Sequence, residues 1–254
     1  MNGFEKHGID HLSPSAINLW IDDPAHYIFK YVLGQKSPSS PAMWRGISVE
    51  DGVKAIIAHG QSFADAIRDA EATYDAKTAF GGDSEKRQQE RDLIKPMIEI
   101  AVDDLTEFGK PSFAEDGSQH KIELTAAFED WSIPVIGFLD FKFPSFGTII
   151  DLKTVGRLPN NGVMSEPHQR QRAIYAKASG NMAVKFLYVT PKKSLLLEDG
   201  DATEILTEIK AHIARLERFL SLGDKDTLRS VVPVNPSSFY WNGCEQARRE
   251  LFNV

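Results

Sequence analysis

Thr148-Ile149-Ile150-Asp151-Leu152-Lys153-Thr154 is the stretch on which the fold and the chemistry turn. Its apolar, β-branched opening reads as a buried strand, Thr148 to Lys153. That strand then presents an aspartate and a lysine two residues apart, and side chains at that spacing leave the same face of a strand. Upstream, Ser132 to Phe143 reads as another strand and carries Gly137-Phe138-Leu139-Asp140. The turn Phe143-Pro144-Ser145-Phe146 and Gly147 separate the two. If they form a hairpin, Asp140 lies across from Asp151 and Lys153. Two carboxylates beside an ammonium make a hard-oxygen site suited to Mg2+ or Mn2+. Taken alone, Asp-x-Lys is a common tripeptide that an exposed, charged hairpin would explain. A buried strand that abruptly presents both groups is poorly explained by packing.

The flanking sequence supplies the layers around this hairpin. Lys121 to Phe128 reads as a preceding strand, and Ala183 to Thr190 as a later one. Between them lie a polar loop, Val155 to Ser165, and a helix from Glu166 to Ser179 stopped by Gly180. Asp201 to Leu222 reads as a final long helix. Toward the N-terminus, Ser13-Pro14-Ser15 caps a short amphipathic helix carrying Ala16, Ile17, Leu19 and Trp20. From Met43 to about Phe108 the apolar residues keep helical spacing, broken at Phe80-Gly81-Gly82-Asp83. The expectation is one α/β (α+β) domain, a mixed sheet flanked by helices. Its helical N-terminal portion spans about 12–110, the sheet core about 119–193, and the C-terminal helix and tail about 201–254.

Three further elements accompany the hairpin. Trp44-Arg45-Gly46-Ile47-Ser48-Val49-Glu50 puts a carboxylate on the early helical segment. Gln171-Arg172-Ala173-Ile174-Tyr175 sets Gln171 and Tyr175 four apart, on one helix face. Leu12-Ser13-Pro14-Ser15-Ala16-Ile17 opens the series, with Pro24 and Tyr27 behind it. In this order and spacing, from roughly Leu12 to Val189, the set resembles the PD-(D/E)XK nuclease superfamily. Within it the likeness is to the RecB-like and phage lambda-type exonucleases.

The resemblance implies a restriction-endonuclease-like core and a Mg2+- or Mn2+-dependent DNA nuclease. Asp140 and Asp151 would ligate the metal, with the Leu152 carbonyl as a further ligand and Glu50 binding the metal or its water. Lys153 would be the catalytic lysine. Gln171 and Tyr175 match a Gln-x-x-x-Tyr motif that orders the site and contacts the DNA backbone, and Ser15 and Arg45 would meet phosphate. Many RecB-like relatives bind a 4Fe–4S cluster through a cysteine before the early proline and three near the C-terminus. Here Asp23 precedes Pro24 and the tail holds only Cys244, so no iron–sulfur cluster is expected. Phe239, Tyr240 and Trp241 are expected to anchor the tail by packing, with base stacking as the alternative use. DNA is the implied partner, with a single-strand annealing or recombination protein and self-association as further possibilities.

Composition looks unhelpful to this reading at first. The chain has 254 residues, 29 Lys+Arg against 36 Asp+Glu and a net charge of −7. An acidic total argues against a polyanionic partner. Resolved along the chain, Lys153, Arg157, Arg170, Arg172, Lys177, Lys185, Lys192 and Lys193 stand against Glu166 alone. That is a local +7, with −14 left for the remainder. A cationic track beginning at the candidate lysine suits a phosphate backbone. One cysteine permits no intramolecular disulfide, which suits a reducing, cytoplasmic setting. The first residues lack the apolar run of a signal peptide, and no stretch approaches the roughly 18 apolar residues of a membrane span. Exonuclease is the leading expectation. A structure-specific endonuclease and a non-catalytic DNA-binding protein on the same fold are the alternatives.

Overall fold

The computed structural model describes residues 2–80, 83–124, 131–180, 182–198 and 202–253. The N-terminal portion is helical: α1 (Gly3–Lys6), α2 (Pro14–Asp22), α3 (Pro24–Tyr27), α4 (Pro41–Ile57), α5 (Phe63–Thr78), α6 (Ser84–Asp92) and α7 (Ile94–Thr106). A π-helical turn, Ile28–Val32, extends α3. Two of these helices start with a serine cap and a proline, the first as expected at Ser13 and the second at Ser40. Ser13 Oγ accepts from Ala16 N at 3.1 Å and Ser40 Oγ from Met43 N at 3.2 Å, each followed by proline at the first helical position.

The remainder alternates strand and helix: β1 (His120–Leu124), β2 (Val135–Leu139), β3 (Phe141–Phe143), β4 (Thr148–Thr154), α8 (Glu166–Ala178), β5 (Ala183–Val189), β6 (Ser194–Leu197), α9 (Thr203–Ser221), α10 (Lys225–Val231) and α11 (Glu245–Phe252). The expected mixed sheet is present, four strands in the order β3-β4-β5-β6. β4 and β5 are parallel and joined through α8, while the β3–β4 and β5–β6 pairs are antiparallel. The crossover through α8 delivers the Gln171 helix onto the sheet face beside Asp151.

The sheet separates two apolar cores. Ile149, Val184, Phe186 and Tyr188 face α2, α8 and α9, with Ala173, Ile174, Ile209 and Ile213. Ile150, Leu152, Leu187 and Val189 face α4, α5 and α7, with Val53, Tyr74, Met97 and Leu105. Alternate residues of β4 therefore serve opposite cores, as the period of two requires. Helices cover both faces, which explains why Thr148 to Leu152 is buried throughout.

Several expectations are revised in detail. The single strand expected over Ser132–Phe143 bends at Asp140. β2 leaves to pair with β1 in a separate two-stranded sheet, and β3 stays in the four-stranded one. Leu139 packs in the α8-side core and Phe141 in the α4-side core, so the face switches at the bend. The strand expected over Lys121–Phe128 is observed to Leu124, and 125–128 lie outside the described residues, as do 81, 82 and the expected helix start at 201. The helix expected from Ser84 breaks at Leu93: α6 buries none of its residues, whereas α7 buries Ile94, Met97, Ile98, Ala101, Val102 and Leu105. A break at Gly60, which adopts φ +69°, separates α4 from α5. β6 was not anticipated, being short and only partly buried. In the tail, Trp241 is buried against His26, Phe29 and Phe252, as expected of an anchor, whereas Phe239 stays exposed.

Candidate active site

The bend at Asp140 places this carboxylate where the β3–β4 pairing runs out. Phe141 pairs with Ile150, so continuing that register sets Asp140 opposite Asp151. Asp140 Oδ2 accepts the Leu152 amide at 2.9 Å. The conditional hairpin geometry read from the sequence is thus the observed one, and Asp151 and Lys153 share the α8 face of β4.

Asp151 is almost wholly buried, at 1% exposure. The Lys153 ammonium lies against its Oδ2, and Gln171 Nε2 donates to its Oδ1 at 2.8 Å. One turn further along α8, Tyr175 donates to the Phe138 carbonyl at 2.9 Å. Its ring passes over Gly137, where a Cβ would come within 2.5 Å of Cε1. The Gln-x-x-x-Tyr face therefore ties α8 to β4 through Asp151 and to β2 through Phe138.

Glu50 arrives from α4 on the other side. That helix is fixed across the end of β4 by Arg45, which is buried, ion-paired to Glu90, and donates to Thr154 O and Oγ1 at 3.3 and 3.4 Å. Gly46 permits this approach, since a Cβ there would stand 3.2 Å from Thr154 Oγ1. A residue missed in the sequence, Gln119, joins the two carboxylates. Its Nε2 donates to Glu50 Oε1 at 2.8 Å and to Asp140 Oδ1 at 3.0 Å. The one available clue was register, because Gln119 directly precedes β1 and falls opposite Asp140 once β1 and β2 pair.

The electrostatics follow from this crowding. Burial, then repulsion from Asp151 and Asp51, pushes the Glu50 carboxyl up to about 7. Burial and the Asp151 and Glu50 charges hold Asp140 well above the usual carboxylate range, and burial raises Asp151 despite the adjacent lysine. Burial alone would lower Lys153, but Asp151, Asp140 and Glu50 outweigh it and hold the ammonium above its ordinary value. Its Nζ also sits 5.4 Å from the Phe186 ring centre. His168, likewise missed, lies three residues before Gln171 on α8. It shares a 2.7 Å hydrogen bond with the Tyr188 hydroxyl, and burial plus the Lys153 charge push it down to about 4. Its helical spacing from Gln171 was a legible signal.

The donor chemistry suits a hard divalent cation. Glu50, Asp140 and Asp151 supply carboxylate oxygens, the Leu152 carbonyl lies between Asp151 and Lys153, and the carboxylates repel one another in a low-dielectric setting. No three of the described His, Cys, Asp and Glu side chains are gathered tightly enough to hold a metal between them. Gln119, Gln171 and Lys153 instead hold the carboxylate oxygens.

The expected cationic track is only partly at the surface. Arg157, Lys177, Lys192 and Lys193 are exposed, and Lys185 is partly buried and paired to Glu198 at 3.1 Å. Arg170 and Arg172 of the track are buried, as is Arg45, which was expected to meet phosphate. Arg170 donates to Asn18 and Glu166, each at 3.0 Å, and thereby joins α8 to α2. Arg170 and Arg172 lie inward because their helix face packs between layers, which linear charge counting does not register. Ser15 is exposed, with its hydroxyl 2.9 Å from the Ser13 cap.

No protein-family model matches this chain, and no curated protein does either. Among the described residues, no helix is long and apolar enough to cross a membrane.

Proposed function

We propose that this chain is a metal-dependent deoxyribonuclease with a restriction-endonuclease-like core, acting as an exonuclease of the PD-(D/E)XK type in recombination, repair or replication-end processing. The observation that carries this reading is the convergence of Asp140, Asp151 and Glu50 with Lys153, reached from three separate elements and braced by Gln119 and Gln171. Buried like charges of this kind destabilise a fold and are concentrated where chemistry requires them.

With the bridges from Gln119, Gln171 and Lys153 exchanged for the ion, Glu50, Asp140, Asp151 and the Leu152 carbonyl would hold Mg2+ or Mn2+, which would supply Lewis-acid stabilisation of phosphate charge and acidify bound water. Lys153, charged across the physiological range, orients the attacking water and stabilises negative charge on the phosphate. Gln171 keeps the Asp151 carboxylate in one rotamer, and Tyr175 fixes the helix that carries Gln171. The exposed Arg157, Lys177, Lys192 and Lys193, with Lys185 nearby in sequence, are the cations of the track at the surface and would meet a DNA backbone.

A time course on 5′- and 3′-labelled single- and double-stranded DNA, with Mg2+ and with EDTA, tests this. Circular DNA run in parallel separates exonuclease from endonuclease, because an exonuclease needs an end. Digestion that persists unchanged in Asp151→Ala or Lys153→Ala protein would sink the assignment.

A further inference from the structure

Phe138 is an aromatic ring displayed one rung away from a site carboxylate. It is 51% exposed, although it belongs to a strand whose neighbours Gly137 and Leu139 are buried. The β1–β2 register pairs it with Lys121 and, by continuation, pairs Asp140 with Gln119. The Gln119–Asp140 hydrogen bond closes that next rung. Phe138 and Lys121 thus form the rung of the ladder that leads, two residues on, into the Gln119–Asp140 pair at the bend. Gly137 marks the opposite face, closed by the Tyr175 ring.

Packing does not account for this phenylalanine. Half of the residue stays in solvent, while its backbone carbonyl accepts from Tyr175 and its strand pairs with β1. The rung spacing of a strand is about 7 Å over two residues, on the scale of the offset between a nucleotide's phosphate and its base. Lys121, 52% exposed at its side chain and ion-paired to the comparably accessible Glu123 at 3.5 Å, is a surface cation on the same rung that a phosphate could draw from that solvent-screened pair. An exposed aromatic next to a surface cation is the pairing by which proteins hold single-stranded nucleic acid without reading its sequence.

We propose that Phe138 is a base-stacking residue that receives the nucleobase adjoining the phosphate at Asp140, with Lys121 across the strand pair engaging the backbone. This rests on the nuclease reading above and assigns it a substrate form: a strand whose terminal bases are unstacked at the site.

The test uses the full chain and single-stranded oligonucleotides carrying 2-aminopurine near one end. Stacking is read as fluorescence quenching in Ca2+, and cleavage as KM and kcat in Mg2+. Wild type, Phe138→Ala, Phe138→Trp and Lys121→Ala are compared, and a melting curve for each checks folding. An exposed position of this kind tolerates substitution with little stability change. Phe138→Ala is expected to lose the quench and raise KM about tenfold with kcat nearly unchanged. Phe138→Trp should restore both. Wild-type protein that cleaves DNA but leaves 2-aminopurine bright, or a Phe138→Ala variant with unaltered KM, overturns the stacking role and leaves the nuclease reading standing. Protein that neither binds nor cuts DNA overturns both.

Discussion

The Tyr175 ring fills the space that a side chain on residue 137 would need, with Cε1 2.5 Å from where a Cβ would stand. The same tyrosine donates to the carbonyl of the next residue, Phe138, at 2.9 Å. Strand β2 and helix α8 are thereby locked at a separation only glycine allows, and Gln171 is carried to Asp151 by that lock. Gly137→Ala is expected to destabilise the protein by about 1–3 kcal/mol, the usual cost of forcing an extra carbon into a packed contact. Urea unfolding measures this. Tyr175→Phe, which keeps the ring and removes one hydrogen bond, should cost only about 1 kcal/mol.

Gln119 offers a sharper probe of the carboxylate cluster, because it touches Glu50 and Asp140 without being charged itself. Gln119→Ala frees both carboxylates from their common donor. Groups that orient metal ligands typically alter metal affinity or activity by about 10–100-fold when removed. A loss in that range, seen in Mg2+ titrations of cleavage rate, is expected, with the melting temperature in EDTA little changed. A variant indistinguishable from wild type would show that the bridge does not organise the site.

The raised carboxylates make a prediction about pH in metal-free protein. Glu50 moves from its ordinary 4.5 to about 7 on folding. Between those values the native state holds a proton that the unfolded chain has released. The contribution to stability is therefore complete below the unfolded value and disappears as pH rises through the folded one. For Glu50 it amounts to ~3 kcal/mol. His26, His120, His168 and His212 are all shifted down, burial being the largest cause, and act in the opposite sense below their unfolded value near 6.5. The informative quantity is thus the difference between wild type and Glu50→Gln in EDTA. The advantage of wild type over the variant should shrink from about pH 5 to about pH 8 in denaturant titrations. A difference that is flat or grows with pH contradicts the shift.

Arg45 separates a structural from a DNA-contacting role. It is 5% exposed and joined to Glu90 and Thr154. Breaking a buried pair by removing one partner costs about 3–5 kcal/mol. Arg45→Ala should lower stability on that scale, measurable in free protein without DNA. Arg157→Ala, at an exposed position, should leave stability within about 0.5 kcal/mol of wild type. Its effect should appear instead as weaker DNA binding with a smaller salt dependence.

Much of the architecture was legible in local pattern. The β-branched run Thr148–Ile150, the proline and glycine punctuation at Pro144 and Gly147, and the Ser13 cap are short-range signals, and each specifies its element. The shared face of Asp151 and Lys153, and of Gln171 and Tyr175, follows from the periods of strand and helix alone. Local reading failed where two layers compete for one segment. The bend at Asp140 arises because Leu139 and Phe141 pack into different cores, and nothing within Ser132–Phe143 announces that division. Counting charge along the chain likewise placed the buried Arg170 and Arg172 in a cationic track.

What the sequence determined by itself is therefore the set of elements and the chemical identity of the groups on each of their faces, because those depend on backbone period and on residue type. Only the tertiary structure decided which faces meet: that Gln119 spans Glu50 and Asp140, that Arg45 turns inward to Glu90, and that Phe138 is left standing in solvent. The physical reason is that these contacts join residues distant in the chain. They depend on how the β4–α8–β5 crossover and α4 pack against the sheet, and no short-range propensity encodes that packing.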